Sequence, residues 1–403
     1  MGDSSKRLLR VLFLPADDGG CGWHRMRIFN EAFNRLKIAD SLMLDPKEEE
    51  KEAKVAIEYA DVIVSRLNTI QYFKLIKKNW PNKVVVFDHD DNTLQTKPSN
   101  PAYKDFGTED VWIKVKDVKE TSAYKDATMG TRLKMEEKGE VPLWVTGITQ
   151  GFNRYLNLDQ HMYLLWGLQA CDLATSPVNT LTSMWGQYAN LVATVPNCLD
   201  FSYYPDVDVK SEREKGEIRI GWSGGSSHSM DLKTIIPSIK RLAKKHNVKL
   251  VISGSHFSEI FRELGDIVEY HPWTKWEAHP YRMKLLDLDF ALIPLADDEF
   301  FNKYKSELKM MEFAALKIPM IIKDQIPYSD YIKRGENCLA YKTEDELDKC
   351  LDKMVKMKTK ERDSMIENAY SWVYNHRNVD KIAKDLVKVY KGLLPEKTQK
   401  LVV

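Results

Sequence analysis

Lys305, Lys309 and Glu312 stand at i, i+4 and i+7 of a segment with helical periodicity, so a helix over Ser306–Leu316 aligns two ammonium groups and a carboxylate on one face. Two readings of the triplet are open. It is either a solvated face with an intrahelical ion pair, or an anion site in which the lysines neutralise a diphosphate and the carboxylate accepts ribose hydroxyls through charge-assisted hydrogen bonds. Two Gly-rich loops, Asp17–Arg25 (DDGGCGWHR) and Gly221–Ser229 (GWSGGSSHS), each follow a strand-like run. Gly20, Gly22, Gly224 and Gly225 permit close backbone approach, and loops at the carboxyl ends of parallel strands present N–H groups to anions. A plain tight turn is the competing reading of each. Neither loop is G-x-x-x-x-G-K-[ST] or G-x-G-x-x-G, which argues against a P-loop ATPase and a standard dinucleotide fold. Asp88, Asp90 and Asp91 in Phe87–Asn92 (FDHDDN) have the oxygen ligands a divalent cation takes, or merely cap a loop.

The elements that must position these residues form two alternating series. Strand-like runs at 8–15, 61–65 and 83–87 are interleaved with helical segments at 24–36 and 72–79, and regularity resumes at 162–195. A second series begins at Ile218–Trp222, with further strands at 249–253, 267–270, 290–294 and 320–322 and helices at 232–245 and near Glu259. Three amphipathic helices fill 342–393. The spacing predicts an α/β chain with two doubly wound parallel sheets facing a cleft. Expected units are an N-terminal domain over 1–200 with an insertion at about 92–160, a second domain over 201–375, and a terminal helix over 376–403 packing back on the first. A chain of 403 residues is long enough for two cores. Sixty basic residues nearly balance 59 acidic ones, so no global basic field marks a nucleic-acid partner. Five scattered cysteines without C-x-x-C, no signal-peptide core and no long apolar run place the expectation in the cytoplasm, without a transmembrane segment.

Glu312-Phe-Ala-Ala-Leu-Lys-Ile-Pro319-Met-Ile resembles the E-A-x-A-x-G-x-P-V-I segment of retaining GT-B glycosyltransferases, the group 1, family 4-like enzymes. Asp172-Leu-Ala-Thr-Ser-Pro and Val195-Pro-Asn-Cys-Leu-Asp200 are similar to that family's entry to the interdomain hinge. Gly221-Trp-Ser-Gly-Gly-Ser is similar to its donor-phosphate loop, and Asp289-Phe-Ala-Leu-Ile-Pro294 to the strand before the donor helix. The matches run in the family's order over most of the chain outside 92–160. Two positions depart. Tyr304 stands where the family has the first glutamate of Glu-x7-Glu, and Lys317 replaces the glycine of the A-x-G-x-P turn.

The resemblance implies transfer of a sugar from a nucleotide-diphosphate sugar, foremost a UDP-sugar, to an acceptor hydroxyl with retention, without cofactor or metal. Arg25, His89, Asp90 and Lys305 are then the expected catalytic residues, with Arg25 and the lysines on the diphosphate and the His89-Asp90 dipeptide at the sugar. Gly20, Gly22, Gly224, Gly225, Ser226, His271, Trp273, Ser306, Lys309 and Glu312 are the expected donor ligands, with an aromatic ring among 271–276 stacking on the base. Aromatic packing under a loop is the alternative for that last group. Rival readings are a non-hydrolysing sugar epimerase of the same architecture and a degenerate nucleotide-binding or scaffold protein. The acceptor stays open among glycans, proteins, small molecules and modified DNA. The first loop and the Asp-rich segment also resemble phage-type transferases acting on hydroxymethylated bases.

Overall fold

The computed structural model describes residues 6–44, 50–66, 70–98, 100, 102–142, 152–206, 216–297 and 301–402. The charged stretch 207–215, read from sequence as a domain boundary, lies outside the described residues, as does 143–151 of the expected insertion.

Continuous apolar runs form the central strands because both faces of a parallel sheet are covered by helices. Chain order gives β1 (Leu9–Leu14), β2 (Ala39–Met43), β3 (Val62–Ser65), β4 (Val84–Asp88), β5 (Trp112–Lys114), β6 (Glu140–Pro142), β7 (Leu173–Ser176) and β8 (Val192–Thr194). The second half adds β9 (Ile218–Gly224), β10 (Val248–Gly254), β11 (Val268–His271), β12 (Phe290–Ile293), β13 (Met320–Lys323) and β14 (Leu339–Tyr341). One six-stranded sheet has the order β2-β1-β3-β4-β7-β8 and the other β11-β10-β9-β12-β13-β14; every pairing in both is parallel. Strand order reverses between β1 and β3 in the first sheet and between β9 and β12 in the second. Connections leave opposite faces at such switch points and open a crevice at the strands' carboxyl ends. Both Gly-rich loops sit there, after β1 and after β9.

Edge strands β2 and β14 are absent from the sequence expectation, being short, and β2 alternates buried and exposed positions as a half-covered edge does. The helix expected near Glu259 is irregular turn structure. Within 92–142, β5 and β6 pair antiparallel and enclose a small core of Val118, Ala127, Met135 and Val141. The helix after it begins at Arg154, capped by the Asn153 side chain, eight residues before the first residue expected to be helical.

Three long helices follow the second sheet, Glu344–Lys356, Thr359–His376 and the returning Val379–Leu393, before a single helical turn at Glu396–Gln399; the third of them reaches the first sheet. That helix buries Val379, Ala383, Leu386, Val387 and Tyr390 in the first sheet's core, with Leu9, Phe29 and Phe33. The chain therefore crosses between the halves twice, and the crossings touch: Leu199 N–H donates to Arg377 C=O at 2.8 Å and Val379 N–H to Leu199 C=O at 3.0 Å.

Arg25 ties this junction together. Its guanidinium is buried, with Nε at 2.9 Å and Nη2 at 2.6 Å from the two oxygens of Asp88, and Nη1 on Val195 C=O (2.6 Å) and Asn197 Oδ1 (3.1 Å). Thr175 Oγ1 donates to the same Asp88 carboxylate at 2.7 Å. Removing one member of such a pair strands a charge in a dry interior. Arg25→Ala and Asp88→Asn are each expected to lower unfolding stability by about 3–5 kcal/mol, read from urea denaturation, the second because the Arg25 charge is left without its counterion and an amide N–H faces its donors.

Candidate functional site

The carboxyl ends of the two sheets face each other across a cavity of about 450 Å³. One wall comes from the first sheet: Gly20, Cys21 and His24 from the loop after β1, then Asp90 and Asp91 after β4, with Asn100 and Ala102 beyond. The opposite wall carries Ser223, Gly224, Gly225, Ser227 and His228 after β9, Trp273, Trp276 and His279 after β11, and the segment from Phe301 to Glu312.

The helix that carries Lys309 and Glu312 is shorter than its periodicity suggests. It spans Leu308–Ala315, and Lys305 precedes it in extended conformation (φ −70°, ψ 161°), so the expected helical stack of Lys305 over Lys309 does not exist. Both ammonium groups nevertheless reach the cavity, because the helix points its N-terminal end into it. Lys309 passes over the Trp222 ring, 5.2 Å from its centroid. A Cβ on Gly224 would stand 2.7 Å from Lys309 Nζ and from Trp222, so only glycine lets this lysine through. Burial pushes the Lys309 ammonium down to about 8, Glu312 opposes that, and neighbouring Lys305 adds to it.

Lys305 Nζ lies 3.4 Å from His228 Nδ1 and 3.9 Å from Asp231. The same His228 nitrogen is 2.6 Å from Asp231 Oδ2, while burial and the two lysines hold the imidazole down to about 3, so the ring is neutral with its Nδ1 proton on the carboxylate. Asp231 is fixed in turn by Ala296 N–H at 2.7 Å. Glu312 is the cavity's innermost carboxylate. Burial raises its pKa, but His24, with Nε2 3.6 Å away, and His279 outweigh that and keep it below the ordinary value. Two buried ring nitrogens beside it, His24 Nε2 and His279 Nδ1, have no hydrogen-bond partner. On the facing wall Asp90 is ion-paired with Arg66, and Asp91 is pushed up to about 6 by burial and by Asp90, against Lys305. Cys21, Asp90 and Asp91 place ligand atoms within 4.8 Å of one another, the one such group among the described residues, with Asp90 already committed to Arg66.

Of the residues singled out from sequence, Gly20, Asp90, Gly224, Gly225, Trp273, Lys305, Ser306, Lys309 and Glu312 line this cavity. Arg25 does not, since its donors are spent on Asp88, Val195 and Asn197. His89 is buried behind the wall, bonded at 3.4 Å to Thr93 and packed edge-on against Trp185, and burial with the Arg66 charge holds it to about 4. Gly22 faces away from the cavity; a Cβ there would lie 2.0 Å from Asp17 C=O. Ser226 yields its place to Ser227. His271 is turned to Glu269 (2.6 Å) and Arg282 (2.8 Å) rather than inward. Tyr304 leaves the site too, half-buried against the first sheet's core. Lys317 holds the left-handed conformation (φ 57°) that favours glycine, its ammonium 4.8 Å from the Tyr370 ring centroid.

Sequence reading missed His24, Asn197, His228 as a buried neutral ring, and His279. The cluster HPWTKWEAHP over 271–280 was the available signal for His279, and the His24-Arg25 neighbour pair the signal for His24.

Sequence comparison finds no matching protein-family model. Nor does it find a matching curated protein. Solved structures do match. A glycosyltransferase from Rickettsia africae superposes with TM-score 0.61 at 11% identity, covering 96% of this chain and 99% of that one. Anabaena HepE in complex with UDP-glucose gives 0.57 at 12% identity (95% and 100% covered), and sucrose-phosphate synthase from Thermosynechococcus elongatus 0.58 at 10% (95% and 99%). The chain has the GT-B fold. GT-B architecture accounts for the facing switch points, the double crossing and the returning terminal helix as one arrangement.

Lys309 in this GT-B cleft is expected to titrate near pH 8 when followed by NMR of labelled lysine side chains. Because the Glu312 charge holds that value up, Glu312→Gln is expected to move the midpoint lower; an unchanged midpoint contradicts the coupling.

Proposed function

We propose that this protein is a glycosyltransferase that moves a sugar from a UDP-sugar to an acceptor hydroxyl with retention at the anomeric carbon. The observation that carries the reading is the convergence of two ammonium groups, Lys305 and Lys309, with the half-buried carboxylate Glu312 in the cleft between switch points. A diphosphate supplies the negative charge that would relieve two lysines crowded together, and ribose hydroxyls supply donors for Glu312. Likeness to a GT-B structure solved with UDP-glucose supports that choice of donor. Among the described residues no helix is long and apolar enough to cross a membrane.

In this reading the base lies toward Trp273 and the diphosphate between the loop after β9 and the N-terminal end of the helix Leu308–Ala315. The sugar then reaches the wall of Gly20, Cys21 and Asp90. As the bond from the anomeric carbon to the diphosphate oxygen breaks, the electron pair goes to the leaving oxygen, the acceptor oxygen bonds to the same face of that carbon, and the acceptor's hydroxyl proton passes to the departing diphosphate. Lys305, Lys309 and loop amides stabilise the charge that develops there, which is preorganised electrostatic catalysis. Arg25 has no free donor for this task; it is a positioning residue that holds the loop after β1 and, through Asn197 Nδ2 on Ser306 Oγ at 2.8 Å, the start of the donor segment. His89 is likewise a positioning residue beneath Asp90. The proposal includes the division into an acceptor-side domain over 1–200, a donor domain over 201–375 and a returning segment over 376–403.

Calorimetry with UDP and hydrolysis of a panel of UDP-sugars test the reading. Glu312→Ala and Lys309→Ala are each expected to weaken UDP binding by about 1.5–3 kcal/mol, roughly ten- to a hundredfold in Kd. Wild-type affinity falls as pH rises through about 8, where the free Lys309 loses its proton, and Lys309→Arg removes that dependence. A wild-type protein that neither binds UDP nor turns over any UDP-sugar overturns the proposal. An inverted product anomer overturns retention alone.

A further inference from the structure

A second cavity of about 280 Å³ borders Trp276 from outside the main cleft. The first half of the chain contributes Asp17, Asp18 and Arg27 to it, and the second half Lys275, Trp276 and Glu277. Asp17 is already engaged: its Oδ1 accepts the Gly19 and Gly22 amides at 2.7 and 3.3 Å, and Arg66 stands 3.5 Å from Oδ2. The other four charges are different. Arg27 and Lys275 oppose Asp18 and Glu277 around the space, yet among the described residues none of the four is ion-paired with another. Their donors and acceptors are held apart on the walls of a ligand-sized gap.

Trp276 makes this a defined surface. Its ring meets His24 edge-on at 5.6 Å, leans on Trp273 at 5.5 Å and on His279 at 5.6 Å, and would approach a Cβ on Gly20 to 3.1 Å. A plate fixed on that side by four residues has little freedom left to lose on binding.

We propose that this second cavity holds a sugar ring, so that the acceptor is a saccharide. This rests on the transferase reading, since Trp276 is shared with the donor cleft. A sugar ring has an apolar C–H face and a rim of hydroxyls, each able to donate and accept. An aromatic plate matches the face, carboxylates accept from the rim and cations donate to it. The balance of two free cations and two free carboxylates selects against a phosphate-rich acceptor, because Asp18 and Glu277 repel it. At about 280 Å³ the space sits at the lower end for ligand pockets, the size for a single ring rather than an extended polymer segment.

Saturation-transfer NMR tests this with the methyl glycosides of glucose, galactose, mannose and N-acetylglucosamine, each in both anomeric forms, on protein saturated with UDP. At least one glycoside is expected to receive saturation from the protein. That signal should fall at least fivefold in Arg27→Ala and in the double variant Asp18→Asn, Glu277→Gln, with UDP affinity by calorimetry within twofold of wild type. Inorganic phosphate at equal concentration should leave the signal in place. No transfer to any of the eight glycosides, an undiminished signal in both variants, or displacement by phosphate overturns the proposal. A wild-type protein that fails to bind UDP strikes the donor reading instead, and the glycoside signal with its loss in the two variants still decides this cavity.

Discussion

A single buried carboxylate, Asp88 at the end of β4, sets the geometry on which the rest of the structure depends. It receives both arms of Arg25 and the hydroxyl of Thr175, so the loop after β1 and the strands β4 and β7 are held at one point. Arg25 Nη1 donates to Val195 C=O and Asn197 Oδ1, and Asn197 reaches Ser306 ahead of the helix Leu308–Ala315. An ion pair this dry persists only when every lone pair and proton is met, and that demand makes it a geometric constraint. Separating the loop after β1 from β4 leaves both charges of the pair bare, and the neutral bonds of Thr175, Asn197 and Ser306 tie the other segments to it.

A parallel device holds the second crossing. Glu307, 1% exposed, accepts Arg377 Nε–H at 2.6 Å, tying the start of the helix Leu308–Ala315 to the chain's return. Beside it the backbone of Leu199 bonds to residues 377 and 379. The two crossings thus act as one joint, and the cleft lies directly above it. Any rotation of one sheet against the other has to work through these few residues at the two crossings.

Charge within the cleft is arranged by half. Lysines come from the second sheet's side and Asp90 and Asp91 from the first, with Arg66 neutralising the acidic wall from behind. Burial holds the Lys309 ammonium below its ordinary pKa and the neighbouring Lys305 adds to that, against Glu312. The repulsion between the two lysines is what an anionic ligand relieves.

By itself the sequence determined the two parallel sheets, since apolar runs and helical periods alternate along the chain. It also determined where anions can be held, because a parallel sheet puts its loops at the carboxyl ends. Lys305, Lys309, Glu312, Gly224 and Gly225 were legible on that ground. The edge strands β2 and β14 were not, because three to five residues carry a weak pattern, although the edge strand β11 was read at 267–270. Which neighbour in a loop faces the cleft was decided only in three dimensions: His24 points in and Arg25 is buried, Ser227 lines the wall and Ser226 does not, Trp273 turns inward and His271 outward. Past a strand's end no fixed period relates one side chain to the next, so each direction follows from local backbone angles and from whichever distant group satisfies the polar atom. For Arg25 that group is Asp88, 63 residues on.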